Sequence, residues 1–187
     1  MTDFSHPAIQ RVVQVAARKG MVLDIRAFAG STYTAEEAAL TIDVEVGQIV
    51  KALVFVAPRP EGRLIPIVCL VSGDNQVDLP LLAAVTGEVS IRPASVRQAR
   101  DLTGFTVGSI PPFGHGRDVR ILMDQDLCQY EWVWASAGAD GAVFRATPQM
   151  LRSLANAVVT PLAAARWMSG RSHAVEPRLQ FETGSGA

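Results

Sequence analysis

Lysine is scarce in this chain: of its 17 basic residues, all but Lys19 and Lys51 are arginine. Lys51 stands inside GQIVKALVF, residues 47–55, among Ile49, Val50, Ala52, Leu53, Val54 and Phe55. Such a run reads as a buried strand, where a desolvated ammonium is costly and can have its pKa lowered by about 3–5 units. Two chemistries fit. Lys51 sits at an edge and reaches past apolar neighbours to water, or the strand lines a pocket in which Lys51 holds an anionic ligand. Alternation along the strand puts Lys51 on one face with Ile49, Leu53 and Phe55.

A second candidate is the loop GFTVGSIPPFGHG, residues 104–116. Gly108 and Pro112 frame Ser109, Ile110 and Pro111, and Phe113, Gly114 and His115 follow. Glycine permits positive φ and close backbone approach, while the two prolines fix the path and remove two N–H donors. The expected product is a stiff loop presenting a few defined backbone groups. It is not a phosphate-binding P-loop, since G-x-x-x-x-G-K-[ST] is absent. A third candidate is ASAGADGAVF, residues 135–144. There Ser136, Ala137 and Gly138 end a strand that begins EWVW and leave room beside the backbone; a plain hairpin turn explains them equally well.

Conventional hydrolytic machinery is hard to assemble. The histidines are His6, His115 and His173, with the first and last near the chain ends. His115 is the one candidate base, open to a role as base, pocket wall or surface residue, and no G-x-S-x-G elbow supplies a nucleophile. No H-E-x-x-H or clustered His/Cys set suggests a metal, and no cofactor is implied. Cys69, inside LIPIVCLV, reads as a small core hydrophobe rather than a nucleophile. An enzyme with this inventory relies on positioning, backbone dipoles and the substrate's own groups.

The elements that would position these residues alternate between helix and strand. AIQRVVQVAAR, residues 8–18, places Ile9, Val12, Val13 and Ala16 on one helical face. MVLDIRAF reads as a strand, and Thr34 with Glu37 forms a capping box for a helix through Leu40. Strands Ile49–Ala57 and Leu64–Val71 flank the turn PRPEGR. Asp78 caps a helix stopped by Gly87, a strand lies near Val89–Ile91, and another helix closes at Gly104. Strands at Val119–Met123, Glu131–Ser136 and Ala142–Ala146 precede a helix capped by Thr147 with Pro148 in its first turn. The expectation is one α+β domain over residues 1–165 around a mixed sheet, with a polar, frayed tail from 166 to 187.

The 187 residues suffice for a real core, and 49% apolar and 19% charged residues describe a compact globule. No apolar run reaches the roughly 20 residues of a membrane helix, and the N-terminus lacks a signal-peptide layout. A cytoplasmic protein with no membrane partner is expected. Two cysteines are too few for a disulfide framework. A net charge of −1 argues against a grip on a long stretch of phosphates; any nucleic acid is touched locally.

Four stretches, TAEEAA…GQIVKALVF, LVSGDNQVDLPLLA, TGFTVGSIPPFG and WASAGADGAVFRATPQML, stand in an order and spacing similar to the YbaK/prolyl-tRNA synthetase editing-domain family. No single stretch is decisive; the four in order carry the resemblance, over about residues 8–160. It implies a mixed domain with a curved, barrel-like sheet flanked by helices. It also implies a deacylase, freestanding or inserted, that hydrolyses the ester joining a wrong amino acid to its tRNA. The resemblance places Lys51 at the family's strand lysine, associated with the acceptor end. Residues Gly108 to Pro112 fall on its G-x-x-x-P loop, and Ser136–Gly138 on another wall of the aminoacyl pocket.

Many members carry Ser-x-Gly-Lys-Arg-Gly where this chain reads Ser136-Ala137-Gly138-Ala139-Asp140-Gly141. That departure points away from the cysteinyl-tRNA branch and toward those clearing alanine, serine or threonine. What the resemblance implies is that Lys51 anchors a terminal phosphate or ribose while the 108–112 loop offers backbone groups to the ester. A ribose hydroxyl helps to orient the attacking water. The implied partners are a misacylated tRNA acceptor end and, secondarily, an aminoacyl-tRNA synthetase. A non-catalytic module binding tRNA ends or a synthetase, and a hydrolase of small free esters, are the rival readings.

Overall fold

The computed structural model describes residues 5–28 and 34–163; the tail expected from 166 onward lies outside them. Helix α1 (Pro7–Arg18) leads to β1 (Asp24–Ala27), α2 (Ala35–Ile42), β2 (Val50–Pro58) and β3 (Leu64–Ser72). Then come α3 (Leu79–Thr86), β4 (Arg92–Pro93), α4 (Val96–Thr103), β5 (Arg120–Asp124), β6 (Val133–Ser136), β7 (Ala142–Ala146), α5 (Pro148–Ala155) and β8 (Val158–Thr160). The capping chemistry works as the residues suggest. Thr34 and Glu37 complete a capping box on α2, Asp78 accepts from the Leu81 amide, and Thr147 accepts from that of Met150. His6 caps α1 through its ring. Lys19 donates to the Ser153 and Leu154 carbonyls and to Asn156 Oδ1, so the other lysine closes the C-terminus of α5.

The α+β class stands, but the strands form two sheets and do not close into a barrel. One has the order β4-β2-β3-β5-β8 and the other β1-β7-β6. The larger is mixed: β2 pairs antiparallel with β3 and β4, while β3–β5 and β5–β8 are parallel. Its faces alternate as the strand period requires. Val50, Val54, Val68, Leu70 and Met123 face α1, α4, α5 and the second sheet, and Phe55, Ile67, Cys69, Val71 and Leu122 face Leu82 of α3. Among the described residues one parallel bridge, Ile49 to Trp134, joins the sheets, and Ala38 and Ala39 of α2 pack over it. The strand expected at Val89–Ile91 is displaced. Val89 is wholly exposed, and pairing with β2 begins at Arg92 and Pro93, followed by the Ala94 amide bonded to the Val54 carbonyl.

Candidate functional site

A cavity of about 260 Å³ opens where the two sheets meet. Its floor is the start of β2, Ile49 to Leu53, with Lys51 among them. Thr34, Ala35 and Ala38 of the α2 end cover one side, and Val107, Gly108 and Ile110 of the glycine loop another. The remaining wall comes from Trp134, Ala135 and Ser136 of β6, Ala139 in the turn, and Ala142 and Val143 of β7. Six of these residues are alanines, which leaves the space that larger side chains would fill. The seam explains the location: at the bridge the sheets diverge, and small residues on β6 and β7 do not close the gap.

Lys51 is half-buried and its Nζ donates to the Asn75 carbonyl at 2.6 Å. Burial holds its pKa below the ordinary 10.5, while the Glu36 and Asp74 carboxylates pull it upward. Lys51 thus lies on the cavity wall, its Nζ tied to the turn after β3. Asn75 is itself fixed, 4% exposed. Its Nδ2 donates to Asp124 at 2.9 Å and to Asp126 at 2.8 Å. Asp124 also accepts from the Leu162 amide, and Ser72 Oγ donates to the Gly47 carbonyl and to Asp74. The turn SGDN thus forms a polar platform beneath the ammonium. Sequence reasoning took it as a plain turn, and Asn75, Asp74 and Glu36 were missed. The signal was present in the three polar residues crowded after an apolar strand.

The glycine loop and the 136–141 turn are latched together. Ser136 Oγ donates to the Ser109 carbonyl at 3.0 Å and accepts from the Gly138 amide at 3.1 Å, while Ser109 Oγ donates to Asp140 Oδ1. Asp140, where the resembled family often carries a cation, serves here to hold the loop. Gly108 has φ +94 with open space where a Cβ would be, so its backbone faces the cavity. Gly138, at φ +101, is packed instead: a Cβ would lie 2.9 Å from Phe105 and 3.1 Å from the Ala8 carbonyl.

The rest of the loop turns inward. Ser109, Pro111 and Pro112 are buried, and Phe113 packs edge-on against Phe144 with ring centroids 5.7 Å apart. Gly114 lies against Val12 and Val15 of α1. His115 Nε2 lies 2.9 Å from the Pro111 carbonyl, which can only accept, so this nitrogen carries the proton. Burial lowers the His115 pKa, the Pro111 bond raises it, and Arg11 lowers it further, for a net shift downward. Phe113, Gly114, His115 and Ala137 do not line the cavity; Lys51, Gly108, Ile110 and Ser136 do. Cys69 is fully buried and its pKa is pushed up to about 12, chiefly by burial and then by Asp124, which suits a core thiol. Among the described residues no cluster of His, Cys, Asp or Glu could hold a metal, and no helix is long and apolar enough to cross a membrane.

The opening combines one lysine, a glycine-containing loop and small apolar walls. Comparison with known proteins shows the family. Residues 29–154 match the aminoacyl-tRNA editing domain, and the chain belongs to that family. YwhH of Bacillus subtilis (strain 168) is 30% identical over 128 residues, 68% of this chain and 78% of that one. A candidate Cys-tRNA(Pro)/Cys-tRNA(Cys) deacylase, EbsC of Enterococcus faecalis (strain ATCC 700802 / V583), is 27% identical over 66% of this chain and 73% of its own. The proline–tRNA ligase of Limosilactobacillus fermentum (strain NBRC 3956 / LMG 18251) is 34% identical over 95 residues, only 17% of that enzyme. The crystal structure of a candidate trans-editing enzyme for prolyl-tRNA synthetase superposes with a TM-score of 0.76 at 40% identity. It covers 84% of this chain and 98% of the other.

Proposed function

We propose that the protein is an aminoacyl-tRNA deacylase that acts in trans, hydrolysing the ester of a tRNA misacylated with a small amino acid such as alanine, serine, threonine or cysteine. The observation that carries this reading is the convergence of Lys51 and the Gly108 loop on one alanine-lined cavity. In the proposed complex the Lys51 ammonium leaves the Asn75 carbonyl for the terminal phosphate or ribose. Backbone groups of the cavity-lining residues Gly108 and Ile110 then face the ester carbonyl, where negative charge develops. The aminoacyl ester is already activated, so water oriented by the free ribose hydroxyl suffices as nucleophile. His115, bonded to Pro111 and outside the cavity, braces the loop.

Discrimination rests on size. One methylene in an apolar pocket is worth about 1–3 kcal/mol, so neighbouring small amino acids are cleared at overlapping rates. Asp140 in place of a cation, tied to Ser109, supports alanine, serine or threonine over cysteine. The test is deacylation of tRNA-Pro and other tRNAs carrying Ala, Ser, Thr or Cys, with the native protein and Lys51→Ala. Turnover of the small esters, strongly reduced in Lys51→Ala, is expected. Retained tRNA binding without turnover of any ester would instead identify a binding module.

A further inference from the structure

The outer face of the smaller sheet carries an arginine–tryptophan ladder that none of the chemistry above uses. Cross-strand pairing sets Ser136, Val143 and Arg26 in one row and Trp134, Arg145 and Asp24 in the next. The Arg26 guanidinium lies 4.8 Å from the Trp134 ring centroid, and that of Arg145 lies 4.5 Å from the Trp132 centroid. Asp24 approaches both arginines only at 4.0 Å, and Glu131 accepts from the Trp132 indole Nε1 at 3.1 Å, so two carboxylates border the ladder but neither guanidinium is held in a close ion pair with them. Both guanidiniums stay open to solvent, with side chains 48% and 38% exposed. Trp134 and Val143 are also cavity wall; the ladder starts where the cavity ends.

Planar guanidiniums held over indole rings offer a stacking face and a bidentate phosphate donor together. That combination suits single-stranded nucleic acid, whose bases stack while its phosphates pair with arginine. We infer that the Arg26–Arg145–Trp132 ladder is the track on which the unpaired acceptor end of the RNA lies while its terminal ester occupies the cavity. This rests on the deacylase reading and adds to it the path of the nucleotides preceding the terminal one. A track of two arginines also fits a chain whose net charge is −1, because the grip is confined to a few phosphates.

The test compares two substrates, a misacylated tRNA and 3′-O-alanyl-adenosine, which occupies the cavity but is too short to reach the ladder. Native protein, Arg26→Ala, Arg145→Ala and the corresponding lysine variants are assayed across a salt series, with thermal unfolding as a check on folding. Each alanine variant is expected to lose about tenfold in kcat/KM on tRNA and to flatten the logarithmic salt slope by about 0.7. Hydrolysis of the short ester is expected to be unchanged. The lysine variants should keep the salt slope and lose part of the rate, since charge survives but stacking does not. Equal losses on both substrates, or none on tRNA, would overturn the track. Native protein that cleaves neither substrate, yet binds tRNA through these arginines, would overturn the deacylase reading and leave the track standing.

Discussion

Lys51→Met separates a ligand-holding lysine from a structural one. Methionine keeps an unbranched stem of similar length between Ile49 and Leu53 and removes only the ammonium. In the free protein that change forfeits the 2.6 Å bond to the Asn75 carbonyl, a type worth about 1.5–3 kcal/mol when one partner is charged. It also removes a cation whose pKa is lowered mainly by burial. The two terms oppose, so the unfolding free energy in urea at neutral pH is expected to change by no more than about 1 kcal/mol. The catalytic loss has no such offset. Losing one charged hydrogen bond to the substrate should lower kcat/KM about 10- to 150-fold. The sign with pH is also fixed. With the folded pKa below 10.5, the unfolded chain binds more protons between the folded value and 10.5, so native stability rises with pH across that window. The variant lacks this rise, and the native-minus-variant difference isolates it. On the proposed reading, the same titration weakens binding of an anionic ligand as pH climbs through the depressed value. A variant that unfolds several kcal/mol more easily, or that keeps native kcat/KM, would refute the reasoning.

Four further outcomes are expected. Ser109→Ala and Asp140→Ala should each slow deacylation, with a double-mutant coupling of about 1 kcal/mol from urea titrations; strict additivity would show that the latch holds nothing. Ala139→Leu, at a half-exposed cavity position, should lower kcat/KM for a threonyl ester about tenfold more than for an alanyl ester, and a uniform fall would contradict a size filter. His115→Ala should leave the pH profile of kcat unchanged in shape, because the ring braces Pro111 from outside the cavity; loss of a limb near the histidine range would make it a base. Thiol titration of the folded protein should find Cys128 reactive and Cys69 silent until denaturant is added, since Cys69 is buried with its pKa near 12.

Local signals carried most of the fold. The capping pairs at Thr34, Asp78 and Thr147 and the apolar runs of β2 and β3 are short-range features, and the helices and the long hairpin follow from them. Strand β8, three residues that pair parallel with β5, has no local signature and was not foreseen. The displacement of β4 has the same origin, because its pairing depends on where the edge of β2 lies. The site divides likewise. Lys51 stood out because a cation in an apolar run is costly, and the loop because of its glycines and prolines. Asn75 held by Asp124 and Asp126, about fifty positions on, and Asp140 held to Ser109 are long-range contacts invisible in a single sequence. That the loop's second half, Phe113 to His115, packs inward and off the cavity wall is not legible either, because composition does not say which end of a loop packs on α1.

The location of the ester is tested most directly by a crystal structure with 3′-deoxy-3′-(alanylamino)adenosine, in which an amide replaces the labile ester. The aminoacyl group is expected within the alanine-lined cavity, its carbonyl facing Gly108 and Ile110, with Lys51 Nζ moved from the Asn75 carbonyl to the ligand. A ligand seated beside His115 and Phe113, with the Lys51–Asn75 bond intact, would contradict that assignment.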